Sequence, residues 1–227
     1  MREVLGALGL AWPRLLIYPG GLLALIAAWL LAHGLARVTG RAVPPLRRGD
    51  IWLMVPPLLA LSMLPLPPAR SFPYGLDLLA ALALCGLPRV VLIARSGGLA
   101  AERLADLRRP AGAFVLGAWA LAEGAGAIEL SALLSAPEPA WRWGLLLGGG
   151  IGWIAGVAWL DRTGGMPSWA TAPGDLGLTL IGGLPILALL AAVIAERLPD
   201  GWAGWMLPPL AAVIAVGVLL TTRWVLR

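Results

Sequence analysis

The sequence has little charge and few reactive side chains. Only 13% of its 227 residues are charged, whereas soluble proteins have about 25%. It contains no lysine, one histidine and one cysteine, Cys85. A single cysteine excludes a disulfide framework within the chain, and a cysteine-ligated metal site would need ligands from elsewhere. The motifs that cradle phosphate, bind catalytic zinc or present a nucleophilic serine are also absent from the sequence. We therefore expect no metal, and no catalysis by this chain outside an enzyme complex.

Apolar residues make up 59% of the chain, which is too many for an ordinary globule in water. A helix that crosses a bilayer needs about 20 mostly apolar residues. Nearly all the charge falls in short gaps between apolar stretches, so we predict one all-α transmembrane bundle over residues 1–227 with no separate soluble domain. Seven stretches qualify as spans: Leu15–Ala36, Ile51–Pro68, Leu76–Ala94, Ala113–Ser135, Trp143–Leu160, Leu176–Ala195 and Ala203–Thr222.

The distribution of arginine predicts how the bundle is oriented. Cytoplasmic loops carry the excess of positive charge in membrane proteins. Eleven arginines fall on one side of the predicted spans and five on the other. This places the N-terminus outside and the C-terminus in the cytoplasm, and predicts a multi-pass protein of the cell inner membrane.

Three ionisable residues lie within the predicted spans, where charge is expensive and suggests function. Glu123 lies ten residues into the fourth span, Glu129 lies nearer the outer end of that span, and Arg89 lies in the third span. A charged Glu123 would need a partner, and Arg89 is the candidate. We predict either a buried ion pair between Glu123 and Arg89 or, alternatively, a proton path through Glu123.

Prolines and glycines are frequent within the predicted spans. Pro56 and Pro57 predict a kink in the second span, because proline removes a backbone donor. Glycine clusters at 148–152 and 182–183 favour close approach of helices within this chain. Contacts with another membrane protein are the alternative interpretation of these clusters.

Several of these blocks, taken in order, resemble one known family. They are Gly49–Pro57, Leu64–Pro67, Leu76–Leu84, Leu87–Arg89 and Ala120–Glu123. The order is similar to that of the complex I subunit 1 family, the membrane proteins that form the quinone-side junction of complex I. The chain resembles in particular the membrane-anchor subunits of [NiFe] hydrogenase and formate hydrogenlyase complexes.

The resemblance implies a non-catalytic subunit of a respiratory or hydrogenase-related oxidoreductase. Such a protein would link cytoplasmic iron–sulfur and large redox subunits to antiporter-like membrane subunits, with no nucleic acid partner and no cofactor of its own. A quinone or a lipid is the molecule it would contact. Glu123 would take the place of the glutamate in the family's proton path. The implied docking surface for cytoplasmic subunits is basic: Arg37, Arg41, Arg47, Arg48, Arg103, Arg108 and Arg109.

The chain also departs from the family. Gly177 and Gly183 stand where the family has glutamates, the segment between the first two spans is short, and an eighth helix is absent. We therefore expect reduced or lost proton conduction. One alternative is a small permease or channel-forming subunit, with Pro56-Pro57 and Pro208-Pro209 as paired broken helices. Another is a structural subunit of a different respiratory or photosynthetic complex.

Overall fold

The computed structural model describes residues 48–64, 76–95, 102, 105, 107–134, 139–162 and 170–195. Within these residues the chain is mostly helical, and its one β-pairing is an isolated antiparallel bridge between Asp77 and Glu129. The all-α prediction is therefore confirmed for this part of the chain. The first and seventh predicted spans, Leu15–Ala36 and Ala203–Thr222, lie outside the described residues. The α-helices described from end to end are α1 (Val55–Ser62), α2 (Leu78–Arg95), α3 (Arg108–Ala125), α4 (Arg142–Arg162) and α5 (Ala172–Ala195).

The second predicted span begins differently from the prediction. Residues Arg48–Met54 form a 3₁₀-helix, and the α-helix α1 starts only at Val55, with Pro56 and Pro57 in its first turn. Backbone N–H groups of a first turn have no partner inside the helix, so proline costs nothing there. These two prolines therefore lie in the first turn of an α-helix that directly follows a 3₁₀-helix, and not within a longer α-helix. The kink itself stays a prediction.

The helix in the fourth predicted span, Ala113–Ser135, differs from that range at both ends. Helix α3 begins earlier, at Arg108, and ends at Ala125. Gly126 follows with φ of +73°, the left-handed conformation that commonly terminates helices. The apolar sequence continues beyond it, but it forms a separate 3₁₀-helix at Leu130–Leu134. Apolar composition alone could not detect this break.

The chain after α3 is tied to the start of α2. The Asp77 carboxylate caps α2 by accepting a backbone hydrogen bond of 2.6 Å from its first turn. The Leu78 N–H donates to the Ile128 carbonyl (2.9 Å), and the Leu130 N–H donates to the Leu76 carbonyl (3.0 Å). These bonds hold the C-terminal end of α3 beside the N-terminal end of α2.

Helices α3 and α4 pack backbone to backbone through glycines. A Cβ atom at Gly117 would lie 3.1 Å from the Gly149 carbonyl oxygen, and one at Gly149 would lie 2.9 Å from the backbone nitrogen of Leu121. Phe114 and Trp153 fill the space beside these glycines, with ring centroids 5.2 Å apart in an edge-to-face arrangement. The absence of side chains at Gly117 and Gly149 therefore sets the distance between the helices.

Helices α4 and α5 also approach through glycine. A Cβ atom at Gly150 would collide with the Gly182 carbonyl oxygen, and one at Gly182 would lie 2.9 Å from Ile154 Cγ1. Close packing within the chain, as the glycine clusters predicted, is confirmed at these positions. By contrast, a Cβ at Gly148 would meet no atom within 4 Å.

Two helices of the described part have the length and apolar composition of a membrane span, Leu78–Arg95 and Arg142–Leu160. Large apolar side chains also point outward from α3 and α4, among them Val115, Trp119 and Ile151. Contiguous exposed apolar surface is unusual on a protein surrounded by water. Both observations support a membrane protein.

Candidate functional site

Arg89 is a buried cation in the second half of α2. It follows Pro88, which lies inside the helix and offers no backbone N–H. Its side chain is only 7% exposed. A charged side chain removed from water is stable only when it is paired and hydrogen-bonded. The partners of Arg89 therefore define the polar centre of this bundle.

The guanidinium of Arg89 connects three helices. Its Nη2 donates to both carboxylate oxygens of Asp175, Oδ2 at 2.8 Å and Oδ1 at 3.0 Å. Its Nη1 donates to the Leu160 carbonyl oxygen at 2.8 Å. Arg89 belongs to α2, Leu160 to the last turn of α4 and Asp175 to the first turn of α5. One side chain thus fixes the relative positions of three helices near their ends.

Asp175 occupies a position that favours a carboxylate. It lies in the first turn of α5, where the helix dipole stabilises negative charge. Its backbone N–H donates to the Thr171 carbonyl (3.0 Å), and its own carbonyl accepts the Thr179 hydroxyl (2.7 Å). The Asp175 side chain is 5% exposed. The start of α5 therefore positions the Asp175 carboxylate independently of Arg89.

Two glycines allow α5 to reach the arginine. A Cβ atom at Gly174 would collide with the Cys85 carbonyl oxygen, and one at Gly177 would lie 2.7 Å from the Cys85 sulfur. Cys85 lies one helical turn before Arg89 on α2 and is buried. Glycine at both positions lets the start of α5 lie directly against α2, at a distance where Asp175 and Arg89 can form a bond.

The buried partner of Arg89 is Asp175. The predicted ion pair between Arg89 and Glu123 is therefore wrong. The sequence contains a signal for this pairing. Arg89 lies five residues before the end of the third predicted span, and Asp175 directly precedes the sixth, on the same predicted side of the membrane. At about 1.5 Å per residue the two lie at similar depth, whereas Glu123 lies near the middle of its predicted span. A comparison of depths would have favoured Asp175.

Glu123 and Glu129, the two glutamates of the fourth predicted span and the candidates for a buried ion pair or a proton path, lie on the outside of the described structure. Glu123 is exposed and lies in the last turn of α3, because the helix ends at Ala125. It continues the outward face that carries Val115 and Trp119, at intervals of four residues. Glu129 is also exposed and lies outside the helix, where its Oε2 accepts the Ser131 hydroxyl at 3.3 Å. The structure does not bring either glutamate to Arg89.

The predicted docking arginines are only partly described. Arg48, Arg108 and Arg109 are exposed. Arg95, at the end of α2, lies 3.6 Å from the carboxylate of Asp50 in the 3₁₀-helix. The other predicted docking residues lie outside the described residues: Arg37, Arg41, Arg47 and Arg103. The start of α3, which carries Arg108 and Arg109, adjoins the cavity described next.

A cavity of about 320 Å³ lies beside the ion pair. Its walls come from α2, the first half of α3, the end of α4 and the start of α5. Arg89 and Asp175 form part of one wall, and most of the remaining lining is aliphatic or aromatic, including Phe114 and Leu178. An apolar cavity with a few polar groups is the usual form of a small-molecule site. No group of three or more His, Cys, Asp or Glu residues able to hold a metal ion occurs in the part of the chain described above.

Of the two glycines at which the resemblance implies lost glutamates, one has a packing role. At Gly177 an added side chain would meet the sulfur of Cys85 and, at 3.6 Å, the side chain of Leu61. At Gly183 a Cβ atom would meet nothing within 4 Å. An added Cβ atom therefore meets no neighbour at Gly183, whereas at Gly177 Cys85 or α5 would have to shift to make room for it.

No protein-family model, curated protein or solved structure matches this chain. The resemblance to the complex I subunit 1 family accordingly stays a prediction that depends on the sequence blocks themselves.

Proposed function

We propose that this chain is a multi-pass subunit of the cell inner membrane that anchors and positions the redox subunits of a complex I-like or membrane hydrogenase-like assembly. It would cross the membrane about seven times with its N-terminus outside, and it would contribute no catalytic group of its own. The observation that carries the proposal is the junction made by Arg89. Its charge is used to join α2, α4 and α5, which is what a rigid support for other subunits requires.

The exposed arginines supply the proposed docking surface. Arg108 and Arg109 begin α3, and the residue before them, Leu107, lines the same cavity as Arg89 and Asp175. The rigid junction and the basic surface therefore lie at one end of the bundle. Two adjacent exposed cations beside the junction would attract acidic surfaces of cytoplasmic iron–sulfur and large redox subunits to this end of the bundle.

The packing at Gly177 supports the second part of the proposal, that this subunit conducts protons poorly or not at all. The family's glutamate at this place cannot be restored without moving Cys85 or α5. The other candidate, Glu123, lies on the outward face of α3 instead of between helices. Neither position provides a buried carboxylate in the bundle for a proton to use.

Purification of the full chain from its native membrane in mild detergent tests the proposal. We expect iron–sulfur, large redox and antiporter-like subunits to co-purify in fixed ratio. The double substitution Arg108→Gln and Arg109→Gln should release the cytoplasmic subunits and retain the membrane subunits. Arg142→Gln is a control for loss of an arginine away from this surface, because Arg142 lies at the opposite end of α4 from the junction. It is half-buried, with its guanidinium 5.8 Å from the Trp141 ring centroid, so both variants should first be shown to unfold like the wild type.

Recovery of the chain alone, as a stable monomer under conditions that preserve other membrane complexes, would contradict the proposal. Ion or solute flux through vesicles that contain only the purified chain would instead favour the permease alternative. Equal loss of the cytoplasmic subunits in the Arg142→Gln control and in the double variant would show that docking does not depend on the basic surface at the start of α3.

A further inference from the structure

The cavity beside the ion pair opens toward the outside of the bundle between α2 and α3. The residues on this side are apolar and exposed: Leu87 is 43% exposed, Val90 47% and Val115 65%. The opposite wall is buried, with Cys85 and Asp175 each 4% exposed and Leu178 1% exposed. If α2 and α3 cross a membrane, as the proposed function requires, the opening faces lipid chains and the deep wall is shielded from them.

The charge of the cavity wall indicates what kind of molecule fits. Asp175 meets Arg89 at 2.8 Å, and Arg89 also donates to the Leu160 carbonyl, so the positive and negative charges compensate each other. A charged molecule entering this space would lose its hydration without gaining a counter-ion, which is strongly unfavourable. The rest of the wall offers mainly hydrocarbon contacts. An uncharged apolar occupant is therefore favoured.

The volume of the cavity suits a flexible hydrocarbon chain that is larger than a single aromatic ring. A cavity of about 150 Å³ lined by aliphatic side chains stays dry and binds benzene. This cavity has about 320 Å³, which is at the lower end of the range for small-molecule sites. It is also open at the side where lipid chains would lie.

We propose that this cavity binds one uncharged aliphatic chain, which enters sideways from the bilayer between α2 and α3 and reaches the wall formed by Asp175 and Leu178. The inference rests on the proposed membrane placement of the chain and does not depend on any redox partner. The aliphatic chain could belong to a bilayer phospholipid or to a free single-chain molecule, and the experiment below separates these two sources.

Photo-crosslinking of the full-length protein in phosphatidylcholine vesicles tests the proposal. One arm uses a phosphatidylcholine whose acyl chain ends in a diazirine, and the other uses a free long-chain alcohol with the same diazirine. Adducts are mapped to residues by peptide mass spectrometry. We expect adducts on the buried wall, at Cys85, Asp175 or Leu178, in at least one arm. Adducts at the outward-facing Trp119 report ordinary lipid contact and serve as the internal reference.

Substitution of Gly86 tests whether the label enters through the cavity. Gly86 lines the cavity, and a Cβ atom there would meet no atom within 4 Å. Gly86→Leu should lower the labelling of the buried wall by about tenfold, equivalent to the lost burial of about two methylene groups. Gly148→Leu is the matched control, because a Cβ atom at Gly148 would also meet nothing within 4 Å and Gly148 does not line the cavity. This variant should leave the labelling of the buried wall unchanged. Ala111→Leu narrows the cavity from α3 and should repeat the effect of Gly86→Leu.

Adducts on the buried wall from the phospholipid alone would assign the bound aliphatic chain to a bilayer lipid. Adducts on that wall from the alcohol alone would assign it to a free molecule. Either result supports the proposal. Labelling of Trp119 without any adduct on the buried wall would overturn it. So would equal labelling of that wall in the wild type, Gly86→Leu and Ala111→Leu. Absence of adducts at Trp119 as well would contradict the membrane placement on which the inference rests.

Discussion

Helices α2 and α5 share a buried ion pair beside their glycine contacts, whereas α3 and α4 meet through glycines without an ion pair. In the first junction, Arg89 and Asp175 have both left water and depend on each other. In the second, Gly117 and Gly149 bring two backbones together and no charge takes part. The ion pair selects which helices are neighbours, because one cation requires one anion at one depth. The glycines set how closely neighbours approach, because any added atom would push them apart.

The comparison predicts the largest effect for breaking the ion pair on one side. Arg89→Met removes the cation that faces the buried Asp175 carboxylate, and Asp175→Leu removes the anion that faces the buried Arg89 guanidinium. Loss of one partner of a buried pair typically costs about 3–5 kcal/mol, so each variant should lose that much free energy of unfolding in detergent micelles. The double variant should recover most of the loss, because no charge is then left unpaired. A double variant as unstable as the two single variants combined would show that the two residues act independently.

A smaller effect is expected from adding a side chain between α3 and α4. Gly149→Val places a branched side chain where even a Cβ would lie 2.9 Å from the Leu121 nitrogen and 3.1 Å from the Gly117 carbonyl. Overpacking of this kind costs about 1–3 kcal/mol, measured as a lower midpoint of thermal unfolding. Gly148→Val, in the same helix but facing open space, is the control and should unfold close to the wild type. Similar losses in both variants would mean that the change reflects valine in a helix and not the interface.

The smallest effect is expected where a charge belongs to neither junction. Glu123 is exposed in the last turn of α3, and exposed substitutions usually change stability by no more than about 0.5 kcal/mol. Glu123→Gln should therefore unfold like the wild type and, in the intact complex, leave proton translocation unchanged. Loss of proton translocation with unchanged stability would show that Glu123 belongs to a proton path. That result would contradict the role proposed for this subunit.

The sequence predicts the class of fold and the importance of Arg89, but not its partner. Arg89 stands out because an ionisable residue in an apolar stretch is rare. Asp175 does not, because it lies at the edge of such a stretch, where charge is ordinary. Pairing depends on depth and on how closely the two helices approach, and the close approach of α5 to α2 depends on the absence of side chains at Gly174 and Gly177, which no charge pattern reveals.

Helix ends are predicted poorly for a related reason. The predicted fourth span continues to Ser135 because its residues stay apolar, while the helix stops at Ala125 owing to the left-handed conformation of Gly126. Likewise, Pro56 and Pro57 break a helix or begin one depending only on where the first turn falls. Hydropathy indicates whether a segment lies in water or in an apolar environment. Local backbone geometry decides where a helix ends within that segment.

The tie between the start of α2 and the chain after α3 bears on how the cavity exchanges its occupant. The hydrogen bonds at Leu78 and Leu130 join the two segments at one end, and the cavity lining begins about one turn further along α2, at Leu82. The exposed side chains that border the cavity, Leu87, Val90 and Val115, lie away from this tie. An occupant that enters and leaves between these exposed residues would exchange without breaking the hydrogen bonds of the tie. Its exchange rate would then be independent of the opening of the bundle at that end.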